Sequence, residues 1–256
     1  MISGVGIHSG RTSRVRLHRE PGPIRFRQGS TEIPALVEHV VSTDRCVTLA
    51  ADGARVALVE HLLAALHIAG FWRDVLIEVE GEELPILDGS ALPWSEALAV
   101  LGQPAPPPPP LSVEEPVDLP ELEVLVTPGE SSIDVIVDYA HPAIGAQRWS
   151  GRRNEWHELL AARTFGFLAE LEQLNAMGLA FGAATENAIV FDDDGPIGPL
   201  RHPDEPVRHK ALDLLGDLAL LGRPLQAAIR VKRGSHRAHV NLMRHLLRHP
   251  TMKAAT

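Results

Sequence analysis

Five consecutive prolines, Pro106 to Pro110 within "GQPAPPPPPLS", interrupt the 256-residue chain near its middle. Proline has no backbone N–H and a fixed φ, so such a run can neither continue a helix nor occupy a central strand. It forms an extended, semi-rigid spacer. The spacer divides the chain into a first α+β domain over residues 1–103, a linker at 104–112 and a second α+β domain over 113–256. Each part is long enough to close a core of its own. Apolar residues make up 45% and aromatics only 4%, so those cores are built from Leu, Val, Ile and Ala.

Hydrophobic periodicity assigns the elements on both sides. In the first half, "SRVRLHRE" and "IRFRQG" alternate as half-buried strands do. "VEHLLAALHIAG" has helical spacing and ends at Gly70, suited to a C-cap. "DVLIEVEGEELPIL" returns to period two with a turn near Gly81. "DGSALPWSEALAVLG" reads as a short helix with Asp88 or Ser90 as its cap. The second half follows a similar plan. "ELEVLVTP" and "SSIDVIVDY" read as a hairpin. "NEWHELLAARTFGFLAELEQLNAMG" reads as one or two helices closed by Gly178, and "ENAIVFDDDG" as a strand entering an acidic turn. "EPVRHKALDLLGDLAL" is a helix, "LQAAIRVKRG" a strand and "HVNLMRHLLRH" a last helix. Each half therefore sets a His-bearing helix over a sheet. The expected fold is α+β: two similar two-layer sandwiches packed together, as an ancient duplication would leave them, with the active site at their interface.

Bulk properties exclude several functions. The net charge is −9 with His neutral, and no long basic run is present, which argues against sequence-independent nucleic-acid binding. Cys46 is the only cysteine, so a disulfide within the chain and a Cys-rich zinc module are both out, and a reducing, cytoplasmic compartment is expected. "MISGVGIHSG" shows no signal-peptide pattern. No stretch of about 18 uninterrupted apolar residues is present, so no stable membrane insertion is expected.

Polar residues on greasy helices carry the chemistry. In "EPVRHKALDLLGDLAL", His209, Asp213 and Asp217 stand four apart and share one helix face. His209 and Asp213 can touch one ion, and imidazole with carboxylate suits zinc. A helix with a polar edge, Asp213 pairing with Lys210, presents the same row. Glu60 and His61 open the apolar "EHLLAAL". A buried Glu is costly unless paired. Beside a metal, His61 is the third ligand and Glu60 the base facing a water; Glu at a helix start is also favourable in itself. "RGSHRAH" places His236 and His239 in a loop, where either is a candidate general acid or a solvent-facing His. "GVGIHSG" has neither dinucleotide-fingerprint nor P-loop spacing; it is a tight turn that can bring His8 to a ligand. "ARTFGF" sets the hydroxyl of Thr164 beside Phe residues, as pocket lining or as core.

Taken in order, "GVGIHSG", "VEHLLAAL", "ELPILDGSA", "HPAI", "ARTFGFLAELEQLNAMGL", "NAIV", "VRHKALDLLGDLAL" and "GSH" resemble the UDP-3-O-acyl-N-acetylglucosamine deacetylase family, the zinc amidases of lipid A biosynthesis. They run from Gly4 to about Leu247. The resemblance implies Zn2+ on His61, His209 and Asp213, with Glu60 activating the water. It implies that His236 stabilises the oxyanion and protonates the leaving amine, with His239 as its competitor. Asp217 then orients that imidazole, Thr164 helps hold the oxyanion, Lys210 lies near the anionic UDP and Phe165 contacts the sugar. A βαβ insert at about 168–189 forms the passage for the acyl chain. The implied partner is a small molecule, an acylated UDP-sugar, acted on by a monomer. His/His/Asp also tolerates iron.

The chain departs from the family pattern in places. Only Met1 to Ser3 precede "GVG", where a strand is usual. Ala57 and Leu58 stand where Ser or Thr is common before "VEH". Ser235-His236-Arg237-Ala238-His239 replaces Gly-His-x-Leu-Asn, and "GAATEN" replaces "GSFDN". These departures motivate a different reading, a non-catalytic, metal-stabilised protein that binds a nucleotide sugar on the same scaffold. A zinc hydrolase of another acylated sugar is a third.

Overall fold

Strands form where apolar residues alternate. The computed structural model describes residues 1–248 and the backbone of residues 252–254. In chain order, the first half contains β1 (Ile2–Val5), β2 (Thr12–Pro23), β3 (Arg25–Gln28), β4 (Thr31–Pro34), β5 (Val40–Ser42), β6 (Thr48–Ala51), β7 (Ala54–Ala57), α1 (Glu60–Ala69), β8 (Arg73–Glu80) and α2 (Leu92–Ala97). In β2, Ser13, Val15 and Leu17 point inward while Arg14 is exposed, which is the period-two rule at work. The second half contains β9 (Leu111–Val113), β10 (Val117–Leu119), β11 (Val124–Pro128), β12 (Ser132–Asp138), β13 (Ala146–Arg152), β14 (Phe165–Phe167), α3 (Leu171–Ala176), β15 (Ile189–Asp192), β16 (Gly195–Pro196), α4 (Glu205–Leu218), β17 (Leu225–Lys232), α5 (His236–Arg248) and β18 (Met252–Ala254).

The two large sheets share one topology. The first has the order β1-β2-β8-β3-β4, and the second contains β10-β11-β17-β12-β13, extended by β9 and β18. In each, the strand that follows a long helix enters between two earlier strands. β8 is antiparallel to β2 and parallel to β3; β17 is antiparallel to β11 and parallel to β12. Each half adds an insert at the same point, before its long helix: the sheet β5-β6-β7 in the first and β14-β15-β16 with α3 in the second.

Both long helices are buried nearly all round. α4 packs on β12 and β13, and α1 packs across α4. One apolar cluster runs from Val15 and Ile77 through Leu62 and Leu66 of α1 and Leu212 and Leu215 of α4 to Val135 and Ile229. A helix covered on several sides needs apolar residues beyond one stripe, which explains why "LLAAL" and "LDLLGDLAL" lack a clean polar face.

Several expectations change. A strand is present at the N-terminus: β1 pairs with β2 from Ile2↔Val15 to Val5↔Thr12, taking Gly4 and Val5 of "GVG" as strand residues. β11 and β12 do not form a hairpin, because β17, with Leu225, Ala227, Ile229 and Val231 all buried, takes the central place between them. Local reading cannot see a competitor about ninety residues downstream. "NEWHELL" is a 3-10 helix over Arg153–Leu159, and "FGF" is strand β14 rather than helix. β14 pairs parallel with β15 from Phe165↔Ile189 to Phe167↔Phe191, so the βαβ insert begins at Phe165 and ends at Asp192, wider than 168–189. Neither Asp88 nor Ser90 is the N-cap of α2, which is Ala91. Instead Ser90 Oγ accepts the Leu92 N–H at 3.2 Å, and Asp88 Oδ1 accepts the Ser90 N–H at 3.0 Å. The last helix begins at His236, so "SHRAH" is its first turn and not a loop. His249, which the sequence reading placed at its end, lies outside the described residues.

Candidate active site

The site forms where the N-terminal part of α1 meets the middle of α4. Gly216 permits the approach: a Cβ there would overlap the Glu60 carbonyl oxygen. His67, two turns further along α1, donates from Nδ1 to the Leu215 carbonyl at 2.7 Å. α1 opens just after Leu58, whose φ of 62° puts a non-glycine residue in the left-handed region, a conformation that costs of order 1 kcal/mol or more and recurs at functional sites.

This crossing brings His61 over His209 and Asp213. His209 Nε2 lies 3.3 Å and His61 Nε2 3.8 Å from Asp213 Oδ1, all nearly buried. His209 Nδ1 donates to the Ala162 carbonyl at 3.1 Å, which leaves its Nε2 lone pair free. Ligand atoms about 2 Å from a tetrahedral ion lie about 3.3 Å from one another. Two imidazoles and a carboxylate at these separations fit one zinc-like ion. Burial pushes His61 down to about 3, with His209 adding to the effect, so the ring stays neutral as a ligand must be. The pairing of Lys210 with Asp213 is also present, Nζ to Oδ2 at 2.8 Å. That pairing occupies Oδ2, while the two imidazoles approach Oδ1. Burial opposes the lysine's charge, but Asp213 outweighs it and holds Lys210 above its ordinary value.

Glu60 borders the same group. Its Oε2 accepts the Val47 N–H at 3.0 Å, and its Oε1 lies 3.6 Å from His236 Nε2. Burial pushes Glu60 up to about 7, with the His236 charge opposing. His236 Nδ1 meets Asp217 Oδ2 at 2.8 Å. Burial disfavours the imidazolium, but Asp217 and Glu60 overcome it and raise His236 to about 10. His239 also meets Asp217 Oδ2, Nδ1 at 2.7 Å. Its Nε2 is directed elsewhere, to where a Cβ on Gly234 would come within 2.6 Å.

These groups open onto one cavity of about 620 Å³, lined by Glu60, His61, Thr164, Phe165, His209, Lys210, Asp213, His236 and His239, and by His8. Asp217 lies behind His236. The rest of the lining is largely apolar and comes from the βαβ insert, including Phe167, Leu168, Leu171, Leu174 and Val190. Thr164 is placed by its backbone, donating to the Gly89 carbonyl at 2.7 Å and accepting from Ile189 at 2.8 Å. Phe165 lies edge-on to His209, and Lys210 Nζ sits 5.6 Å from its ring centre. Both ring nitrogens of His8 are buried without a hydrogen-bond partner among the described residues, while its backbone N–H donates to Glu83.

Some supporting residues were not singled out in the sequence. Glu205, fully buried, accepts from the Arg163 backbone N–H at 3.0 Å, from Arg163 Nε at 2.9 Å and from the Arg201 N–H at 2.7 Å. It ties residues 161–165 to the start of α4, which is why Ala162 meets His209. Glu83 anchors the "GVGIHSG" turn through the His8 and Ser9 N–H groups, each at 2.8 Å. Both stand among other charged residues, Glu83 beside Glu82 and Glu205 beside Asp204, so only their burial sets them apart.

The chain is similar to known proteins over nearly its whole length. Residues 1–248 match the family model described as LpxC, UDP-3-O-acyl N-acetylglycosamine deacetylase. The chain is 43% identical to the UDP-3-O-acyl-N-acetylglucosamine deacetylase of Thermosynechococcus vestitus, over 94% of this chain and 89% of that protein. It is 40% identical to the protein of that name from Anaeromyxobacter dehalogenans, over 97% and 85% of the two chains. For the Leptospira biflexa protein of that name the identity is 36%, over 94% and 85%.

Proposed function

Because the chain belongs to the UDP-3-O-acyl N-acetylglycosamine deacetylase family, we propose that it hydrolyses the N-acetyl group of a UDP-3-O-acyl-N-acetylglucosamine. The products are acetate and the free amine, at the step of lipid A biosynthesis that needs that amine. In this reading the protein is a cytoplasmic monomer whose two domains, 1–103 and 113–256, correspond to the two repeats of the sheet topology. The observation that carries the proposal is the spacing of three buried polar atoms, His209 Nε2 and His61 Nε2 lying 3.3 and 3.8 Å from Asp213 Oδ1, flanked by Glu60 and His236.

His61, His209 and Asp213 would hold the zinc ion. Such an ion, when bound, supplies a Lewis acid and a water of lowered pKa. Glu60, raised to about 7, takes a proton from the attacking water near neutral pH. The attack makes a tetrahedral oxyanion at the acetamide carbon, and the imidazolium of His236 and the hydroxyl of Thr164 stabilise it. His236 then gives its Nε2 proton to the departing glucosamine nitrogen, and Asp217 keeps Nδ1 protonated and the ring oriented. Lys210 offers a cation to the anionic part of the substrate. Phe165 and His8 offer contacts to the sugar end, and the apolar insert receives the acyl chain.

The test is acetate release from UDP-3-O-acyl-N-acetylglucosamine, with and without a chelator. Loss of activity on chelation, restored by zinc, is expected. Glu60→Gln keeps the Val47 hydrogen bond but cannot take the proton, so kcat should fall about 10²–10⁴-fold with zinc still bound. Zinc and nucleotide-sugar binding without acetate release would instead support the non-catalytic binding protein.

A further inference from the structure

With His236 taken as the acid, His239 is left without a task, yet it is almost fully buried and meets the Asp217 carboxylate. We propose that His239 is a positioning residue that anchors Asp217 Oδ2, so that Asp217 can in turn aim His236 at Glu60.

The geometry supports hydrogen bonding over a second metal site. Asp217, His236 and His239 are grouped closely enough to be considered as ligands. Yet the two Nδ1 atoms stand 2.8 and 2.7 Å from the same oxygen, shorter than the roughly 3.3 Å expected between atoms sharing a tetrahedral ion. These are N–H···O⁻ distances. A carboxylate only accepts, so each imidazole carries its proton on Nδ1. The rings are nearly perpendicular, at 86°, and reach the oxygen from different directions.

The need for a second donor comes from the other carboxylate oxygen. Asp217 Oδ1 is buried with no hydrogen-bond partner among the described residues. Without His239, the side chain would be hydrogen-bonded only to the imidazole it is supposed to orient, and the two could swing together. His239 is independently fixed. It lies on the first turn of α5, three residues after His236, and its backbone N–H donates to the Ser235 carbonyl at 2.9 Å. Its ring fits against Gly234, where a Cβ would come within 2.6 Å of Nε2. The same arrangement separates the two imidazoles by role. Nε2 of His236 faces Glu60 at 3.6 Å, whereas Nε2 of His239 faces the Gly234 backbone.

The proposal rests on the deacetylase reading for its kinetic readout and on ring-proton spectroscopy for an independent one. His239→Ala removes the donor, and His239→Asn retains an N–H at the position of Nδ1. In the full chain with zinc, His239→Ala should lower kcat about 10–100-fold, the range for groups that orient a reacting side chain. KM should change less than 3-fold, roughly, and His239→Asn should recover most of kcat. The downfield Nδ1–H signal of His236 in proton–nitrogen NMR should be sharp in the wild type and in His239→Asn, and broadened or lost in His239→Ala. If the alanine variant does not fold, His239→Leu, a bulkier residue without a donor, replaces it. Wild-type kcat in the donorless variant, or His239→Asn as impaired as His239→Ala, overturns the proposal. If the wild type releases no acetate, the deacetylase reading fails and the ring-proton signal decides alone: an unchanged His236 signal in the donorless variant then overturns the proposal.

Discussion

At the scale of single residues, Gly216 and Glu205 set the site without touching substrate. Gly216→Ala pushes a methyl group into the Glu60 carbonyl. Backbone lies on both sides of that contact, so α1 and α4 must separate. The expected result is a loss of about 1–3 kcal/mol in stability, with weakened zinc binding because His61 moves relative to His209. Denaturant unfolding and a zinc titration check both. Glu205 is held below its ordinary value: burial raises it, but the hydrogen bonds and charge of Arg163 outweigh burial. Glu205→Ala leaves the Arg163 guanidinium, itself mostly buried, without its partner. A cost of about 3–5 kcal/mol is expected, measured by urea unfolding at pH 7.

At the scale of elements, the α1–α4 contact has a pH signature through His67. Burial pushes its pKa down from 6.5 to about 4. Between these values the unfolded chain binds a proton that the folded chain refuses, so stability falls as pH drops below about 6.5 and the full penalty is reached near pH 4. From pH 7.5 to 5 the loss from this group is about 2 kcal/mol. His67→Asn can still donate to the Leu215 carbonyl but does not titrate. Its stability should drop less over that interval, by about the same 2 kcal/mol, and equal slopes for the two proteins would contradict the assignment. Elements built on local pattern were legible: α1 closing at Gly70, β2, β8 and α4 follow directly from periodicity. The strand β14 was not, because "FGF" sits inside a helix-like run of Leu and Ala, and only pairing with Ile189–Phe191 decides it. Pairing partners in general were hidden, since β8 and β17 enter their sheets from far along the chain.

At the scale of the whole molecule, the proposed ligands come from both sides of the proline spacer. His61 precedes it, and His209 and Asp213 follow it. The residue types and the i,i+4 spacing of His209 and Asp213 were readable, as was the oddity of a Glu–His pair on an apolar helix. The sharing of Asp217 by two imidazoles was not, because it depends on α5 beginning at His236. An ion bound only by the folded chain must stabilise it by mass action, by about 4 kcal/mol at a free concentration 1,000 times Kd. Zinc should therefore raise Tm by several degrees and a chelator should reverse the rise. Asp213→Ala should show neither effect. The most direct measurement is anomalous diffraction from zinc-loaded crystals. A single strong peak is expected about 2 Å from His61 Nε2, His209 Nε2 and Asp213 Oδ1 alike; a peak that lacks His61, or sits among Asp217, His236 and His239, would contradict an ion gripped jointly by α1 and α4.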